Sequence, residues 1–262
     1  MKFSVITAVI NNKESLFRAV ASLREQSFKD YEHIIVDGAS IDGTFELIKD
    51  IADEKTRWIS EPDSGIYDAL NKGIKMASGE IVCLLHSDDT FAETDVLEKV
   101  AQIFKENRTD AVYGDLLYVS SKTKQDNILK IEDTTKIIRW WRSGNYNYNS
   151  LRFGWMPPHP ALFIKRRIYE NFGTFDTSLI ISADYEIILR FFWNKKISAV
   201  YLPKVITRMS VGGTSNKSIG NIIQKSKEDF RAMKMNGIKF PILTLISKNL
   251  RKLPQFLARD LS

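Results

Sequence analysis

The sequence predicts an α/β fold, and three observations predict it. Strand-like and helical patterns alternate from residue 2 onward, the strand-like runs are apolar almost throughout, and each run ends in acids or amides. The alternation argues for a sheet that is largely parallel, its strands joined by helices. Apolar runs without alternation belong to strands covered on both faces. Polar strand ends point to a binding rim, because ligands gather outside the carboxyl ends of such strands.

Each element follows from its own pattern. KFSVITAVI (residues 2–10) is a β-rich run that ends at Asn11-Asn12. Leu16, Ala19, Val20 and Leu23 then recur at helical spacing and predict the first helix. HIIVDG is a second strand, and GASIDGT a loop dense in turn formers. Leu47, Ile48 and Ile51 mark a second helix, and Trp58-Ile59 a short strand leading into SEPDSG. A third helix is expected to bury Ile66, Ala69, Leu70, Gly73, Ile74 and Ala77. EIVCLL (residues 80–85) is a fourth strand, and another helix is expected to start near Glu93. The strand ends thus deliver Thr7 to Asn11, Asp37, Glu61 to Asp63, and Ser87 to Asp89 to one rim.

Composition narrows the class. The 262 residues are 44% hydrophobic, enough for one large domain or a domain with an appendage. No apolar run is long enough to span a bilayer, and no secretory signal is visible. The single cysteine, Cys83, cannot form an internal disulfide and reads as a small buried hydrophobe. A cytoplasmic protein is expected. Residues 217–262 carry ten Lys/Arg against three Asp/Glu, so the net charge of +6 belongs to the tail.

The rim has no glycine-rich phosphate cradle. Neither G-x-x-x-x-G-K-[ST] nor G-x-G-x-x-G after the first strand is present. Adjacent Asp88 and Asp89 offer another way to neutralise a diphosphate, by holding Mg²⁺ or Mn²⁺ that bridges its oxygens. The alternative is that one of them merely caps the following helix.

SVITAVINN, SLREQSF, HIIVDGASIDGT, EPDSGIYDALNKGIKMASGEIVCLLHSDD and SADYEIILRF occur in this order between residues 3 and 215. Together they resemble the family-two inverting glycosyltransferases of the GT-A fold, a Rossmann-like mixed sheet flanked by helices, and above all bacterial enzymes that build surface polysaccharides. The resemblance implies that Thr7 and Ala8 line a nucleotide pocket, that Asp37 binds the base, and that Asp68 and Asn71 border the donor sugar. Asp89 would be a metal ligand, and Asp88 a ligand that also lies near the ribose. The family's D-x-D motif has Ser87 in its first position here, so the last two acids would have to suffice. Asp184 matches the catalytic base, with Ala183 where relatives carry a further acid; an ordinary first-turn helix acid is the alternative. Glu186 is its understudy.

The segment WWRSGNYNYNSLRFGWMPPHPALF is dense in aromatics that could stack on sugar rings or simply pack. His159 and Trp155 within it are expected at the acceptor site. SVGGTS (residues 210–215) is a candidate mobile loop or a plain turn.

Taken as a helix, residues 242–259 place Ile242, Leu243, Leu245, Ile246, Leu250, Leu253, Phe256 and Leu257 on one side and Lys248, Arg251, Lys252 and Arg259 on the other. Pro254 should split it. Such a segment either docks on the catalytic domain or lies against an anionic membrane. The expected organisation is a catalytic domain over residues 1–215, its nucleotide-sugar half ending at 115 and its acceptor half running from 116, followed by a basic helical extension over 216–262. The expected activity is metal-dependent transfer from a nucleotide-sugar, a UDP-sugar with dTDP and GDP sugars as alternatives, to a saccharide or polyprenyl-linked saccharide. Two other readings compete. A sugar nucleotidyltransferase would carry glycines after its first strand, which AVINNKES lacks. A nucleic-acid-binding protein would leave the strand-end acids unexplained, since they repel phosphate.

Overall fold

The computed structural model describes residues 1–120, 136–211 and 219–256. The first half runs β1 (Phe3–Val9), α1 (Lys13–Arg24), β2 (Tyr31–Asp37), α2 (Thr44–Ile51), β3 (Thr56–Ser60), α3 (Ile66–Met76) and β4 (Ile81–Leu84). The rest comprises β5 (Asp89–Phe91), α4 (Val96–Glu106), β6 (Ala111–Ser120), β7 (Lys136–Trp141), β8 (Leu162–Lys165), α5 (Arg166–Phe172), α6 (Ala183–Ile188), β9 (Ala199–Ser210), α7 (Ile219–Met235) and α8 (Pro241–Leu250). One mixed sheet takes them in the order β3-β2-β1-β4-β8-β6-β9-β5, with β7 added alongside β6.

The first four strands are mutually parallel, β1 lying between β2 and β4 and β3 flanking β2. Every residue of β1, β2 and β4 is buried, including the polar Ser4, Thr7, Glu32, His33 and Asp37. Helix α3 packs directly on β1 and β2: a methyl group added at Gly73 would come within 2.4 Å of the Ile6 side chain. Ile66 differs from expectation. It sits in the first turn of α3, at the rim, and is 47% exposed. The helix expected near Glu93 starts at Val96, because Asp89–Phe91 first pair with β9 as β5.

β8 runs antiparallel to both β4 and β6, and this reversal joins the two halves into one sheet. The boundary expected at residue 115 falls inside β6. The one expected at 215, with most of the SVGGTS loop, lies outside the described residues.

Glu32 ties the amino ends of the parallel strands together. Its buried carboxylate accepts hydrogen bonds from Ser4 Oγ (2.6 Å), the Ser78 amide (2.6 Å) and hydroxyl (2.9 Å), and the Gly79 amide (3.1 Å). Burial alone would raise its pKa, but the Ser4 and Ser78 hydrogen bonds and the charge of Lys2 outweigh burial and pull it from 4.5 to about 2. The resulting stabilisation is present above about pH 4.5 and is lost as the pH falls toward 2. Glu32→Gln is expected to destabilise the protein by about 2 kcal/mol at pH 7. In urea titrations its deficit should shrink as the pH is lowered through that window.

The tail docks, but with its polar side inward. Thr244 Oγ1 donates to the Arg152 carbonyl (2.7 Å), Ser247 Oγ to the Phe153 carbonyl (2.8 Å), and buried Lys248 pairs with buried Asp229 (2.8 Å). Gly154, in left-handed conformation, lets α8 approach closely; a Cβ there would meet the Lys248 backbone at 2.6 Å. Leu245 packs partly on the core, while Ile242, Leu243, Ile246 and Leu250 are each more than half exposed. Pro254 lies in a separate turn, Leu253–Phe256, after the break at Arg251. Leu257 and Arg259 lie outside the described residues.

Candidate active site

The carboxyl ends of β3, β2, β1 and β4 stand side by side and build the rim from successive loops. Asp37, at the end of β2, is fully buried. It accepts hydrogen bonds from the Ser40 amide (3.2 Å), the Ser40 hydroxyl and Ser60 Oγ (2.6 Å). The loops after β1 and β2 are cross-linked, with the Asn11 amide bonded to Ser40 Oγ (2.8 Å) and the Ile41 amide to Asn11 Oδ1 (2.9 Å). Asn11 and Ala39 both have positive φ, a costly backbone state for non-glycine residues that this network holds in place.

Not every residue expected here presents its side chain to the rim. Thr7 is fully buried, and its hydroxyl donates to the Leu85 carbonyl (2.7 Å). That commitment makes His33 Nε2 the donor to Thr7 Oγ1 (2.9 Å). Thr7 therefore secures β1 to the end of β4 from beneath the rim. Ala8 is buried beside Val36. The Asp68 carboxylate, a third exposed, accepts from the Ser64 amide (3.1 Å) and lies 3.7 Å from Lys72. Asn71 is engaged at both ends of its amide: Nδ2 donates to the Phe175 carbonyl and Oδ1 accepts from the Phe175 amide, each at 2.9 Å. It clamps the segment before α6 onto α3.

Asp88 and Asp89 follow a tight turn in which the Asp89 amide bonds to the His86 carbonyl (3.0 Å). Ser87, in the first motif position, accepts from Asn12 Nδ2 (3.2 Å), so the turn is tied to the end of β1. Asp89 has no exposure, and neither of its carboxylate oxygens has a hydrogen-bond partner among the described residues. Burial, with the charge of Asp88 adding, pushes its pKa well above the usual carboxylate range; the Ser210 backbone offsets this electrostatically without reaching hydrogen-bond geometry.

A buried, orphaned carboxylate beside a second one fits a hard divalent cation such as Mg²⁺ or Mn²⁺, whose oxygen ligands are completed by phosphate and water. Among the described residues no group of three His, Cys, Asp or Glu side chains could enclose a metal without such outside ligands. The donor set therefore suits a cation that arrives with a diphosphate.

Asp184, in the first turn of α6, faces the same cleft. The Tyr67 hydroxyl donates to the Ile181 carbonyl at 2.8 Å and lies 3.4 Å from Asp184 Oδ1. Burial and then the charge of Asp184 raise the pKa of Tyr67 well above its ordinary value. His86 connects the two groups of acids. Burial lowers its pKa, while Asp88 and Asp184 both act on it in the opposite sense. His159 lies 6.3 Å from His86, ring centre to ring centre, and stands edge-on to Phe175 at 5.3 Å. Burial takes His159 down to about 4, against the pull of Asp184, so it is neutral at pH 7. The structure thus brings Asp88, Asp184 and His159 together, and adds Tyr67 and His86, which the sequence reading missed. A signal for both existed: each directly precedes or nearly precedes a motif acid, in IYD and HSDD.

Two expected site residues are engaged within the core. Trp155 packs on Tyr113 and Tyr146 at 5.7 Å each and donates Nε1–H to the Ser143 carbonyl (2.8 Å). Glu186 cannot substitute for Asp184. It is buried, paired with Arg190 (2.8 Å), and faces Asn236. A surface depression of about 460 Å³ lined by Lys105, Arg108, Lys165 and Arg167 lies at the opposite, amino end of β4 and carries none of these groups.

Comparison with known proteins identifies the family and the fold. A PGL/p-HBAD biosynthesis glycosyltransferase from Mycobacterium tuberculosis is 27% identical over 265 residues, covering 98% of this chain and 93% of its own. Crystallised TarS from S. aureus superposes over the whole chain with a TM-score of 0.66 at 18% identity, and this chain spans 44% of TarS. The mannosyltransferase PcManGT from Pyrobaculum calidifontis, in complex with GDP-Man and Mn²⁺, gives a TM-score of 0.64 at 19% identity over 98% of this chain and 73% of its own. The family model described as "Glycosyl transferase family 2" matches residues 4–172. The chain belongs to glycosyl transferase family 2 and is a glycosyltransferase of the GT-A type.

Proposed function

We propose that the protein moves a sugar, with inversion at its anomeric carbon, from a UDP-sugar to a hydroxyl of a saccharide or polyprenyl-linked saccharide, in the synthesis of bacterial cell-surface polysaccharide. The observation that carries this reading is the run of contacts from Asp184 through Tyr67, Phe175 and His159 to His86, next to the Asp88–Asp89 pair whose Asp89 is orphaned among the described residues. Asp37, held by Ser40 and Ser60, faces the base, and Asp68 borders the donor sugar. Ala8 and the buried end of β1 form the floor.

Asp88 and Asp89 would hold a divalent cation. When bound, it supplies the positive charge that a departing diphosphate requires. Asp184 takes the proton from the acceptor hydroxyl as that oxygen attacks from the face opposite the leaving group, which gives one displacement and one inversion. Tyr67 keeps Asp184 oriented, since its hydroxyl is anchored to the Ile181 carbonyl beside that carboxylate. Neutral His159 can donate to or accept from an acceptor hydroxyl without competing for the cation.

A donor screen tests the reading. Nucleotide release is followed with Mn²⁺ across UDP, dTDP and GDP sugars, and the anomeric configuration of the product is read by NMR. UDP-sugar turnover with an inverted product is expected; retained configuration would refute a single displacement by Asp184.

The enzyme works at the cytoplasmic face of an anionic membrane. No helix among the described residues is long and apolar enough to cross one. The outward apolar side of α8 supports surface contact, with Ile242, Leu243 and Ile246 exposed beside a basic flank. Leu243→Ser with Ile246→Ser is expected to lower co-sedimentation with anionic liposomes about tenfold or more. Because both side chains face outward, the melting temperature should hold. Undiminished sedimentation would remove the membrane from the account.

A further inference from the structure

Cations that the transfer mechanism does not use gather between β7, α7 and the end of α8, close to Asp184. Lys248 is neutralised by Asp229 at 2.8 Å and sits 3.3 Å above the Tyr185 ring. Lys225, Lys252 and Arg139 have no acidic partner among the described residues. The Arg139 guanidinium lies over Tyr118 (4.6 Å) and Trp141 (5.3 Å), and its Nε–H is fixed by Gln255 Oε1 (2.6 Å). Its terminal amino groups remain unpaired among the described residues. Lys252 Nζ donates to Asn249 Oδ1 at 2.9 Å.

These cations form one group. Lys225 lies one turn before Asp229 on α7 and Lys252 one turn past Lys248, so the 2.8 Å pair of Asp229 with Lys248 brings both together, and the Gln255 hydrogen bond holds Arg139 beside them. Burial, followed by the charges of Lys225 and Lys248, accordingly pulls Lys252 down to about 8. Such crowding is unfavourable unless an anion joins it. The group also borders the cleft: Lys248 feels the charge of Asp184, and Tyr118, beneath Arg139, feels both Asp89 and Asp184. Helix α7 is latched to the entrance of α6, because Glu228 accepts hydrogen bonds from the Ile181 and Ser182 amides (2.7 and 2.9 Å). The rim around the cations is apolar and exposed, with Ile222, Leu250 and Leu253 each more than half accessible.

We propose that Arg139, Lys225 and Lys252, with Lys248 beneath them, form a subsite for the phosphate or diphosphate group of the acceptor. An anion held there delivers the acceptor's sugar end toward Asp184, and the apolar rim receives a lipid chain attached to the phosphate. Arg and Lys in this arrangement offer charge-assisted hydrogen bonds to several phosphate oxygens. The inference rests on the transferase reading above and identifies what that transferase's acceptor carries.

The test titrates geranyl diphosphate, inorganic pyrophosphate and geraniol into the full chain in metal-free buffer, by calorimetry. Geranyl diphosphate should bind, and geraniol at least about tenfold more weakly. Binding should persist with UDP and Mn²⁺ present, since the nucleotide occupies Asp88 and Asp89. Lys225→Gln with Lys252→Gln, and separately Arg139→Gln, should each weaken diphosphate binding about tenfold or more while leaving UDP–Mn²⁺ binding and the melting temperature unchanged. Tighter binding of geranyl diphosphate than of pyrophosphate assigns the anion to a lipid; equal binding assigns it to a water-soluble phosphorylated acceptor, and both results support the subsite. Wild-type affinity in the variants, displacement by UDP, or no diphosphate binding would overturn it. A failed nucleotide arm counts against the proposed function, and a failed diphosphate arm against the subsite alone.

Discussion

Asp184→Asn is expected to lower sugar transfer about 10²–10⁴-fold, the usual contribution of a positioned general base. Donor affinity should stay within about twofold, because Asp184 acts on the acceptor and not on the nucleotide. The substitution keeps the side chain's size and its first-turn position on α6, so folding is unaffected and the loss is chemical. Glu186 cannot compensate, being held by Arg190 within the core. The check is a kinetic one: kcat should fall with little change in the KM for the donor. Normal turnover in Asp184→Asn would mean that another group takes the acceptor proton.

Asp89→Ala is expected to abolish Mn²⁺-dependent nucleotide binding, with an effect opposite in sign on the metal-free protein. Removing a fully buried carboxylate that no hydrogen bond among the described residues satisfies relieves a desolvation penalty. In EDTA the variant should therefore melt at or above the wild-type temperature. With UDP and Mn²⁺ the order reverses, since only the wild type gains the binding free energy, about 2.7 kcal/mol at ligand a hundredfold above Kd. A scanning-fluorimetry series in the two buffers reads both effects. A variant that is less stable in EDTA and still shifts with UDP and Mn²⁺ would assign Asp89 to structure instead.

The two predictions draw on parts of the chain that were unequally legible in sequence. The parallel half could be read because strands buried on both faces are mainly apolar, as β4, most of β1 and the Ile34, Ile35, Val36 stretch of β2 are. Their shared rim follows from topology, which sets Asp37, Asp88 and Asp89 at or just after the carboxyl ends of β2 and β4. The antiparallel half was harder. β8 has four residues and β5 three, too short for periodicity to register, and their partners are distant in sequence.

Side-chain direction was the other gap. Asn71 and Asp68 lie in one motif, yet Asn71 turns inward to clamp Phe175 while Asp68 stays a third exposed. Trp155 looks like a stacking platform in a run of aromatics, but its indole N–H is committed inside the core. The tail teaches the same lesson from amphipathicity, which tells that two sides of a helix differ and not which of them docks. A single buried ion pair, Lys248 with Asp229, turns the polar side of α8 inward. It leaves Leu243 64% exposed.

The central claim is that Asp88 and Asp89 hold a cation that carries the donor diphosphate into the cleft faced by Asp184. Crystals soaked with UDP and Mn²⁺ test it most directly, through the anomalous signal of manganese. The account predicts a peak coordinated by the Asp89 carboxylate, with the diphosphate on its far side and the base beside Asp37. Manganese absent from residues 88 and 89, with UDP ordered elsewhere on the protein, would contradict it.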